Sequence, residues 1–282
     1  MILVTGATGN IGSELVKLLL LKKIPVRVIT RDEKRVSHLD PGIERVIGDR
    51  QDPAVVSKAL QGADQVFILP VLFDKDHGAD RLLIEQAKPD GVRQMVMISS
   101  GAVRMEGNAI GRLHREKEQL VENTGLPWTF LRPGGFMSNT FQWAGTIKSQ
   151  SKVFNPMGHG ETAPISPYDI AAVAAVALTS SGHEGNAYDL TGPEVLSTPD
   201  QVQILSKIIG KPIECVDILV EVASERAIAS GVPEVLVESL AQLWRQVRAQ
   251  SAAFQTKEVE RLTGRPGQTF ETWGREHRDA FV

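Results

Sequence analysis

Three glycines stand between an apolar run and a leucine-rich segment near the start of the chain. Residues 2–5 are apolar or β-branched, and Gly6, Gly9 and Gly12 follow at intervals of three. Leucines then recur at helical spacing over residues 11–21. A strand, a glycine-rich turn and a helix in direct succession are typical of the first unit of a parallel α/β sheet. This succession constrains the fold more than any other part of the sequence.

Each of the three glycines has its own predicted role. Gly6 permits a tight turn, Gly9 lets backbone N–H groups approach a diphosphate, and Gly12 lets the helix pack closely on the strand. The N-terminus of the helix adds the positive end of its dipole. A tight turn without a ligand is the alternative. The strand and helix on either side favour a dinucleotide site.

The first half of the chain alternates short β-branched runs with helical patterns, which predicts an α/β fold with a doubly wound, Rossmann-type parallel sheet. The predicted strands cover residues 2–5, 26–30, 44–47, 65–69, 94–99 and 129–132. Asp52-Pro53 predicts the cap and first turn of a helix ending at Leu60. Ser166-Pro167 predicts the start of a buried, alanine- and valine-rich helix to about Thr179.

This pattern predicts an NAD(P)-binding Rossmann domain at residues 1–135, with the helix at 166–180 also packed on it. Residues 136–165 and 192–282 are expected to form a substrate-binding loop and a smaller, mainly helical lobe. Residues 134–164 have little periodicity and predict a long loop, a feature that is usually functional. The predicted helices of the lobe are 199–209, 220–229 and 235–243.

Charge and composition exclude several classes of partner. The chain has 282 residues, of which 42% are hydrophobic, so it can bury a sizeable core. The 31 basic and 34 acidic residues give a formal net charge of −3 and form no long run of one sign. We therefore expect no nucleic-acid partner and no binding to an anionic membrane.

The sequence predicts neither a membrane span nor a metal site. No apolar stretch nears the ~20 residues of a membrane span, and we expect a cytoplasmic protein. Cys215 is the single cysteine and cannot form an internal disulfide. No metal site is expected, because the histidines are far apart, at positions 38, 77, 114, 159, 183 and 277. The sequence does not decide the oligomeric state, and a homodimer is one assembly that we consider.

The glycine spacing is G-x-x-G-x-x-G, and Thr5 to Gly12 resembles the T-G-A-T-G-x-x-G of extended and atypical short-chain dehydrogenases/reductases. Further motifs occur in the same order along most of the chain. Together they are similar to the NmrA-like group, including its NAD(P)H:quinone oxidoreductase-like members. These motifs are Gly48-Asp49, Asp52-Pro53, Ser99-Ser100-Gly101, Leu131-Arg132-Pro133-Gly134 and Tyr168-Asp169-Ile170-Ala171.

The end of the second predicted strand indicates which dinucleotide binds. Thr30 is not acidic, and Arg31, Lys34 and Arg35 follow within five positions, which would suit a 2′-phosphate. Asp32 lies twenty residues after Gly12 and is the alternative ribose ligand, but we place it beyond the strand. We therefore expect NADP(H) in preference to NAD(H). A solvated charge cluster is the alternative interpretation.

The remaining cofactor residues follow from strand ends and from the resemblance. The resemblance implies that Asp49 lies near the adenine, and that Leu69 and Pro70 lie near the adenosine ribose and the nicotinamide. Ser99 ends the fifth strand at the same edge, where turn or capping roles are the alternative. The predicted cofactor-binding residues are Gly6, Thr8, Gly9, Asn10, Ile11, Gly12, Arg31, Asp49, Leu69, Pro70, Ser99 and Pro133.

The catalytic Tyr-x-x-x-Lys of many short-chain reductases is absent, because four residues after Tyr168 and Tyr188 stand Ala172 and Gly192. The corresponding helix, residues 109–123, instead carries candidate catalytic groups. His114 and Glu118 share a face at i and i+4, an arrangement similar to the H-x-x-x-E of NmrA-like reductases.

We expect His114 to donate a proton or a hydrogen bond, with Glu118 raising its pKa. Lys117, one position aside, is the second predicted catalytic residue. The alternative is an exposed helix whose charges form local ion pairs.

Apolar residues after the sixth strand are the predicted substrate contacts: Phe136, Met137, Phe141 and Trp143. A hydrophobic cluster beneath a loop is the alternative for each. A pocket of this kind suits a small apolar or aromatic carbonyl.

The predicted function is that of an NAD(P)H-dependent oxidoreductase that transfers hydride to a quinone, an enone or a similar conjugated carbonyl. One alternative is a non-catalytic, NmrA-type sensor of the dinucleotide redox state. A nucleotide-sugar epimerase or dehydratase is a further alternative, which the missing tyrosine dyad disfavours.

Overall fold

The computed structural model describes residues 1–37, 39–71, 77–249 and 254–282, so His38 lies outside the described residues. The strands are β1 (Ile2–Thr5), β2 (Val26–Thr30), β3 (Glu44–Ile47), β4 (Gln65–Ile68), β5 (Gln94–Ile98), β6 (Trp128–Pro133), β7 (Lys152–Asn155), β8 (Glu161–Thr162), β9 (Asn186–Leu190), β10 (Leu196–Ser197) and β11 (Glu214–Asp217). The α-helices are α1 (Asn10–Leu21), α2 (Pro53–Leu60), α3 (Gly78–Ala87), α4 (Ala109–Asn123), α5 (Ala144–Gln150), α6 (Pro167–Thr179), α7 (Thr198–Ile209), α8 (Val220–Ala229), α9 (Glu234–Arg248), α10 (Glu258–Thr263) and α11 (Phe270–Glu276).

The main sheet has the strand order β3-β2-β1-β4-β5-β6-β9. Parallel pairing on both sides of β1 places Val4 opposite Val28 in β2 and Phe67 in β4. The order of its first six strands is that of a doubly wound sheet, whose ligands bind outside the carboxyl ends of the strands. The predicted fold class is confirmed, and each of the six predicted strands is present to within one residue at either end.

Local chemistry explains where several helices begin. Asp52 caps α2 by accepting a hydrogen bond from the Ala54 N–H at 2.9 Å, as the sequence predicts. Ser197 and Asp200 form a reciprocal capping box at the start of α7. The predicted helix at 166–180 is present as α6, and its apolar residues from Ile170 to Leu178 are largely buried.

The prediction of a long irregular loop at 134–164 is wrong. The segment contains a 3-10 helix (Met137–Trp143), α5, β7 and β8. These elements are short, so they produce little periodicity in the sequence. β7 is completed by parallel pairing with β11, whose residue Cys215 lies opposite Val153. The partner strand is some sixty residues away in the chain, and the local pattern gives no sign of it.

The seventh strand of the main sheet was not predicted. β9 has the sequence Asn-Ala-Tyr-Asp-Leu, which mixes polar and apolar residues at an edge of the sheet. The predicted helix at 235–243 is also longer than expected and extends over Glu234–Arg248. Both differences concern elements whose burial depends on distant parts of the chain.

The described residues form two compact units. Unit 1 comprises residues 1–106, 111–133 and 170–189, and unit 2 comprises residues 107–110, 134–169 and 190–282. One part of the core of unit 1 is formed by the sheet with the helices α2, α3 and α4, and includes Leu60, Leu83 and Phe130. The core of unit 2 includes Leu205, Phe270 and Trp273. None of the described helices has the length and apolar character that crossing a membrane requires.

Candidate active site

The glycine turn joins β1 to α1 at the carboxyl edge of the sheet in unit 1. Gly6 has a φ of +66°, and its carbonyl accepts a hydrogen bond from the Gly9 N–H at 3.0 Å. A Cβ at residue 6 would lie 2.5 Å from Cδ2 of Leu69. A Cβ at residue 12 would overlap the carbonyl oxygen of Gly6. The packing of the protein itself therefore requires glycine at both positions.

Gly9 differs from the other two glycines because the protein leaves room for a side chain there. A Cβ at residue 9 would meet the Gly6 oxygen at 3.4 Å and Leu69 Cδ2 at 3.9 Å, which are ordinary contacts. The φ of Gly9 is −90°, a value open to any residue. The packing of the described protein thus gives no reason for glycine at this position. Close approach of a diphosphate to the backbone does give one.

The start of α1 fits the same ligand. Within the described chain no side chain caps this helix, and its first turn contains no acidic residue. Its first N–H groups and its dipole favour an anion in front of Gly9. Among the other predicted residues of this turn, Thr8 and Asn10 are exposed and Ile11 is buried. The turn can therefore hold the diphosphate of a dinucleotide.

The cations after β2 lie on the surface of unit 1. Arg31 is exposed, and no described residue forms an ion pair with it. Asp32 accepts a hydrogen bond from the Lys34 N–H at 2.9 Å and so caps the 3-10 helix Glu33–Val36. Arg35 approaches Asp32 only to 4.0 Å. Asp32 is therefore engaged in a local turn, while the guanidinium of Arg31 is available to a ligand.

The other predicted cofactor residues also follow strands of unit 1. Asp49 comes after β3 and accepts a hydrogen bond from the Gln51 N–H at 3.0 Å, which is turn chemistry. Leu69 follows β4; its N–H donates to Thr5 Oγ1 at 2.8 Å, and its side chain lies against Gly6. Pro70 comes next and is half-buried. These residues stay predictions as cofactor contacts.

Two further candidates stand at the ends of β5 and β6. Ser99 is buried, and its N–H donates to the Leu131 carbonyl at 2.7 Å. The capping role considered for the serine pair belongs to Ser100, whose Oγ accepts from the Ala102 N–H at 3.1 Å. Pro133 is buried beside Gly101. The hydroxyl of Ser99 is thus not used in a cap.

The candidate catalytic residues lie on the covered face of α4. His114 is 5% exposed, and Lys117 and Glu118 are fully buried. The alternative of an exposed, ion-paired helix is therefore wrong for this face. Arg112 and Gln119 occupy the exposed side of the same helix. Two charged residues of α4, Lys117 and Glu118, are therefore buried together with His114.

The protonation of His114 differs from the prediction. Burial lowers the pKa of His114 from its usual 6.5 to about 4. The Glu118 carboxylate works in the opposite direction, as predicted, and Lys117 adds a smaller lowering effect. Burial is the larger effect, so the expectation of a raised pKa is wrong. The imidazole is neutral near pH 7, and its Nδ1 has no hydrogen-bond partner among the described residues.

Glu118 is held by two arginines. Nε and Nη2 of Arg132 donate to its two oxygens at 2.8 and 2.7 Å, and Nη1 of Arg115 donates at 3.0 Å. Burial, the largest single effect, would raise the pKa of Glu118, but the hydrogen bonds and charge of Arg132, together with further hydrogen bonds that include that of Arg115, hold the pKa below its usual value. Glu118 is therefore a carboxylate at neutral pH.

Lys117, the second predicted catalytic residue, is held in a buried ion pair, and its catalytic role stays a prediction. Its Nζ is buried and donates to Asp80 of α3 at 2.5 Å. The same carboxylate accepts from the Val71 N–H at 2.8 Å, and Arg50 Nη1 lies 3.5 Å from its other oxygen. A buried, paired ammonium cannot reach an acceptor without breaking this ion pair. Lys117 therefore serves to tie α4 to α3.

The predicted substrate contacts belong to unit 2. Met137 is 1% exposed and is part of the core of that unit. Phe141 packs on the rings of Trp273 and Phe281, with centroid distances of 5.2 and 5.9 Å. Trp143 is partly buried against the same cluster. For these three residues the structure agrees with the alternative of a hydrophobic cluster.

Phe136 is the remaining predicted substrate contact. It is half-buried and lies outside that cluster, and its backbone forms a bridge to Ile165. It stays a candidate contact.

The comparison with known sequences adds the family. The sequence profile of the NAD(P)H-binding family matches residues 6–181. The chain belongs to the NAD(P)H-binding family. It is 37% identical to an NAD(P)H azoreductase of Xenophilus azovorans over 100% of this chain and 99% of that protein. It is 39% identical, with the same coverage, to a (4-alkanoyl-5-oxo-2,5-dihydrofuran-3-yl)methyl phosphate reductase of Streptomyces griseus subsp. griseus.

Solved structures show the same fold. An NADPH-dependent quinone oxidoreductase of Escherichia coli, complexed with NADPH, superposes with a TM-score of 0.86 at 24% identity. The match covers 98% of this chain and 99% of that one. The predicted family resemblance, the dinucleotide cofactor and the class of NAD(P)H-dependent reductase are thereby confirmed.

Sequence reasoning missed three charged residues that organise this edge of unit 1. Asp80 pairs with both Lys117 and Arg50, which come from separate parts of the chain, and Arg132 of β6 pairs with Glu118. No periodicity links such positions. The one available signal was the presence of Lys117 and Glu118 on an otherwise core-facing side of α4, since buried charges require partners.

The different environments of Gly9 and Gly12 predict different effects of the same substitution. Gly9→Ala should weaken dinucleotide binding by about tenfold or more, because the methyl group would occupy the space in front of α1. The melting temperature and circular dichroism should not change. Gly12→Ala is the matched control and should lower the melting temperature. Unchanged affinity for NADPH in Gly9→Ala, measured by calorimetric titration, would contradict the site.

The low pKa of His114 predicts a pH-dependent loss of stability. Below pH 6.5 His114 becomes protonated in the unfolded chain, whereas in the folded protein it stays neutral until about pH 4. The stability contributed by the neutral imidazole is thus complete above pH 6.5 and falls as the pH drops towards 4, by on the order of 3 kcal/mol.

Urea unfolding at several pH values tests this expectation. His114→Gln cannot titrate and should lose less stability than the natural chain between pH 6.5 and 4. Parallel curves for the two proteins would show that His114 is protonated at its usual pH in the folded chain.

Proposed function

We propose that the protein transfers hydride from NADPH to a quinone, an enone or a similar conjugated carbonyl. The observation that carries this proposal is the buried, neutral imidazole of His114, whose Nδ1 has no partner among the described residues. It lies on the helix that connects β5 to β6, strands whose carboxyl ends belong to the ligand-binding edge. A polar atom of a bound acceptor would satisfy this nitrogen.

The bound dinucleotide supplies the hydride, and the protein supplies position and a hydrogen bond. The N–H groups at the start of α1 hold the diphosphate, and Arg31 meets the 2′-phosphate. The neutral imidazole of His114 donates a hydrogen bond to the carbonyl oxygen of the acceptor, where negative charge develops. It does not supply a full proton, because it carries one N–H at neutral pH. Water then protonates the released product.

This chemistry favours conjugated carbonyls among the acceptors of the relatives. The names of two relatives specify an azo group and a dihydrofuranone whose ring double bond is conjugated to carbonyl groups. Both groups are electron-poor double bonds. An enolate or a quinol anion leaves its charge on oxygen and is stabilised by a neutral donor, whereas a reduced azo nitrogen is a much stronger base. A neutral His114 therefore suits the carbonyl acceptor better.

The location that suits this reaction is the cytoplasm, where reduced dinucleotides are produced. We accordingly place the protein there.

The exposed guanidinium of Arg31 predicts a preference for NADPH over NADH. Arg31→Ala should weaken NADPH binding by about 10- to 100-fold, because a charge-assisted contact to the 2′-phosphate is lost. NADH affinity should change little. Arg35→Ala, which removes a cation already close to Asp32, is the control and should have a smaller effect. Equal affinities of the natural chain for the two dinucleotides, by calorimetry, would overturn the preference.

Turnover tests the reaction itself. The purified protein with NADPH should reduce a small quinone or a cyclic enone faster than the mixture without protein, as followed by the absorbance of NADPH. His114→Ala should lower kcat by about 10²-fold or more, at the lower end of what one positioned group contributes. NADPH affinity should persist, because the imidazole contacts the acceptor. Tight NADPH binding without turnover on any conjugated carbonyl would favour the redox sensor instead.

A further inference from the structure

Glu118 is a buried anion whose main hydrogen-bond donor is an arginine outside its own helix. Arg132 of β6 donates to both oxygens, at 2.8 and 2.7 Å, and no part of the Glu118 side chain is exposed. Arg115 adds one bond at 3.0 Å, but its guanidinium is shared with Glu122, to which it donates twice at 2.9 Å. The Arg132 pair is therefore the main partner of the carboxylate.

This carboxylate lies one helical turn from His114, on the same face of α4. An anion so close to an imidazole normally stabilises the imidazolium and raises its pKa. The groups that act directly on His114 are Glu118, which favours its protonation, and Lys117, which opposes it. Lys117 is in turn neutralised by Asp80 of α3. Glu118 is thus the group near His114 that would charge the imidazole.

Arg132 is placed so that it opposes the effect of Glu118 on the protonation of His114. Its side chain is 20% exposed, and its guanidinium joins Glu118 in the geometry of a two-point ion pair. Asp189 of β9 is a further negative group near Arg132, and Arg104 pairs with Asp189 in turn. Negative and positive groups therefore alternate from Glu118 through Arg132 and Asp189 to Arg104. The Arg132 guanidinium largely compensates the negative charge of Glu118.

We propose that Arg132 is a positioning residue for the reduction: its two hydrogen bonds hold and neutralise the Glu118 carboxylate, so that His114 remains an uncharged hydrogen-bond donor to the acceptor. This inference rests on the proposed function for the role of His114.

Removal of the guanidinium charge has a defined consequence. In Arg132→Gln, Glu118 keeps one shared arginine and becomes a poorly compensated buried anion. The nearest site where a proton can relieve this charge is the Glu118–His114 pair itself. The pair should then take up one proton at a pH above that of the natural chain, and the two groups should titrate together.

The experiment is an NMR titration of the His114 ring in the full chain without acceptor, from pH 8 to pH 4.5. The ring resonance is assigned by its absence in His114→Gln. In the natural chain its shift should stay nearly constant down to about pH 5, as expected for a group with a pKa of about 4. Arg132→Gln should move the midpoint upward by about one pH unit or more. An unchanged titration would overturn the proposal.

Two further variants separate this role from general support of the fold. Arg115→Gln leaves the Arg132–Glu118 pair in place and should keep the natural titration. Arg132→Gln combined with Glu118→Gln removes both charges and should return His114 to a low midpoint. If the double variant instead titrates like Arg132→Gln, the carboxylate is not the source of the shift and the proposal fails.

Arg132→Lys covers the case in which Arg132→Gln does not fold. One ammonium cannot bridge both oxygens of Glu118 as the guanidinium does, so the His114 midpoint should still rise, by a smaller amount. A midpoint identical to that of the natural chain would count against the proposal.

Turnover measurements show whether the charge arrangement serves the reaction. With a quinone as acceptor, kcat of the natural chain should be nearly flat from pH 5.5 to 8, while that of Arg132→Gln should acquire the midpoint found by NMR. The KM for NADPH should stay unchanged. Altered titration without any turnover on quinones would uphold the electrostatic link and reject the proposed acceptor. Altered titration with a flat kcat profile would reject the catalytic part of the inference.

Discussion

The close approach of Gly6 and Gly12 is the constraint on which the arrangement of unit 1 depends. The carbonyl of residue 6 occupies the space that any side chain at residue 12 would need, so α1 can begin directly against the end of β1. This start places uncapped N–H groups at the carboxyl edge of the sheet. At Gly9, by contrast, a side chain would make only ordinary contacts with the protein. The same turn thus serves packing at two positions and a ligand at the third.

The buried charges of α4 are the second constraint on the candidate site. Lys117 and Glu118 are adjacent in sequence but pair in different directions, with Asp80 of α3 and with Arg132 of β6. Each pair compensates a charge that would be costly to bury alone. His114 lies beside both pairs and carries no charge of its own at neutral pH. The helix therefore presents a polar group that is free of the usual titration of histidine.

The sequence predicted correctly the elements that depend on neighbouring residues alone. The strand segments, the Asp52 cap and the core helix α6 follow from β-branched runs, capping residues and apolar composition, and the structure has them at the predicted places. Elements that depend on distant partners were missed. β7 requires β11, and β9 is a polar edge strand.

The candidate site shows the same division. The glycine turn was predicted from its spacing together with the strand and the helix on either side of it. The pKa of His114 and the pairing of Lys117 depend on burial and on contacts such as that with Asp80, which only the folded chain brings together. The aromatic and sulfur-containing residues after β6 gave a pattern that suits either a pocket or a core.

The pair formed by Lys117 and Asp80 also has a consequence for the evolutionary history of the chain. Replacing Asp80 alone leaves Lys117 as an unpaired charge in a fully buried position, at a cost of about 3–5 kcal/mol, a large part of the stability of a typical domain. Replacing Lys117 alone leaves Asp80 with only the more distant Arg50, at 3.5 Å. Two neutral side chains of similar volume would avoid that cost, but they require two changes. Positions 80 and 117 should therefore covary: related chains should keep both charges or have lost both.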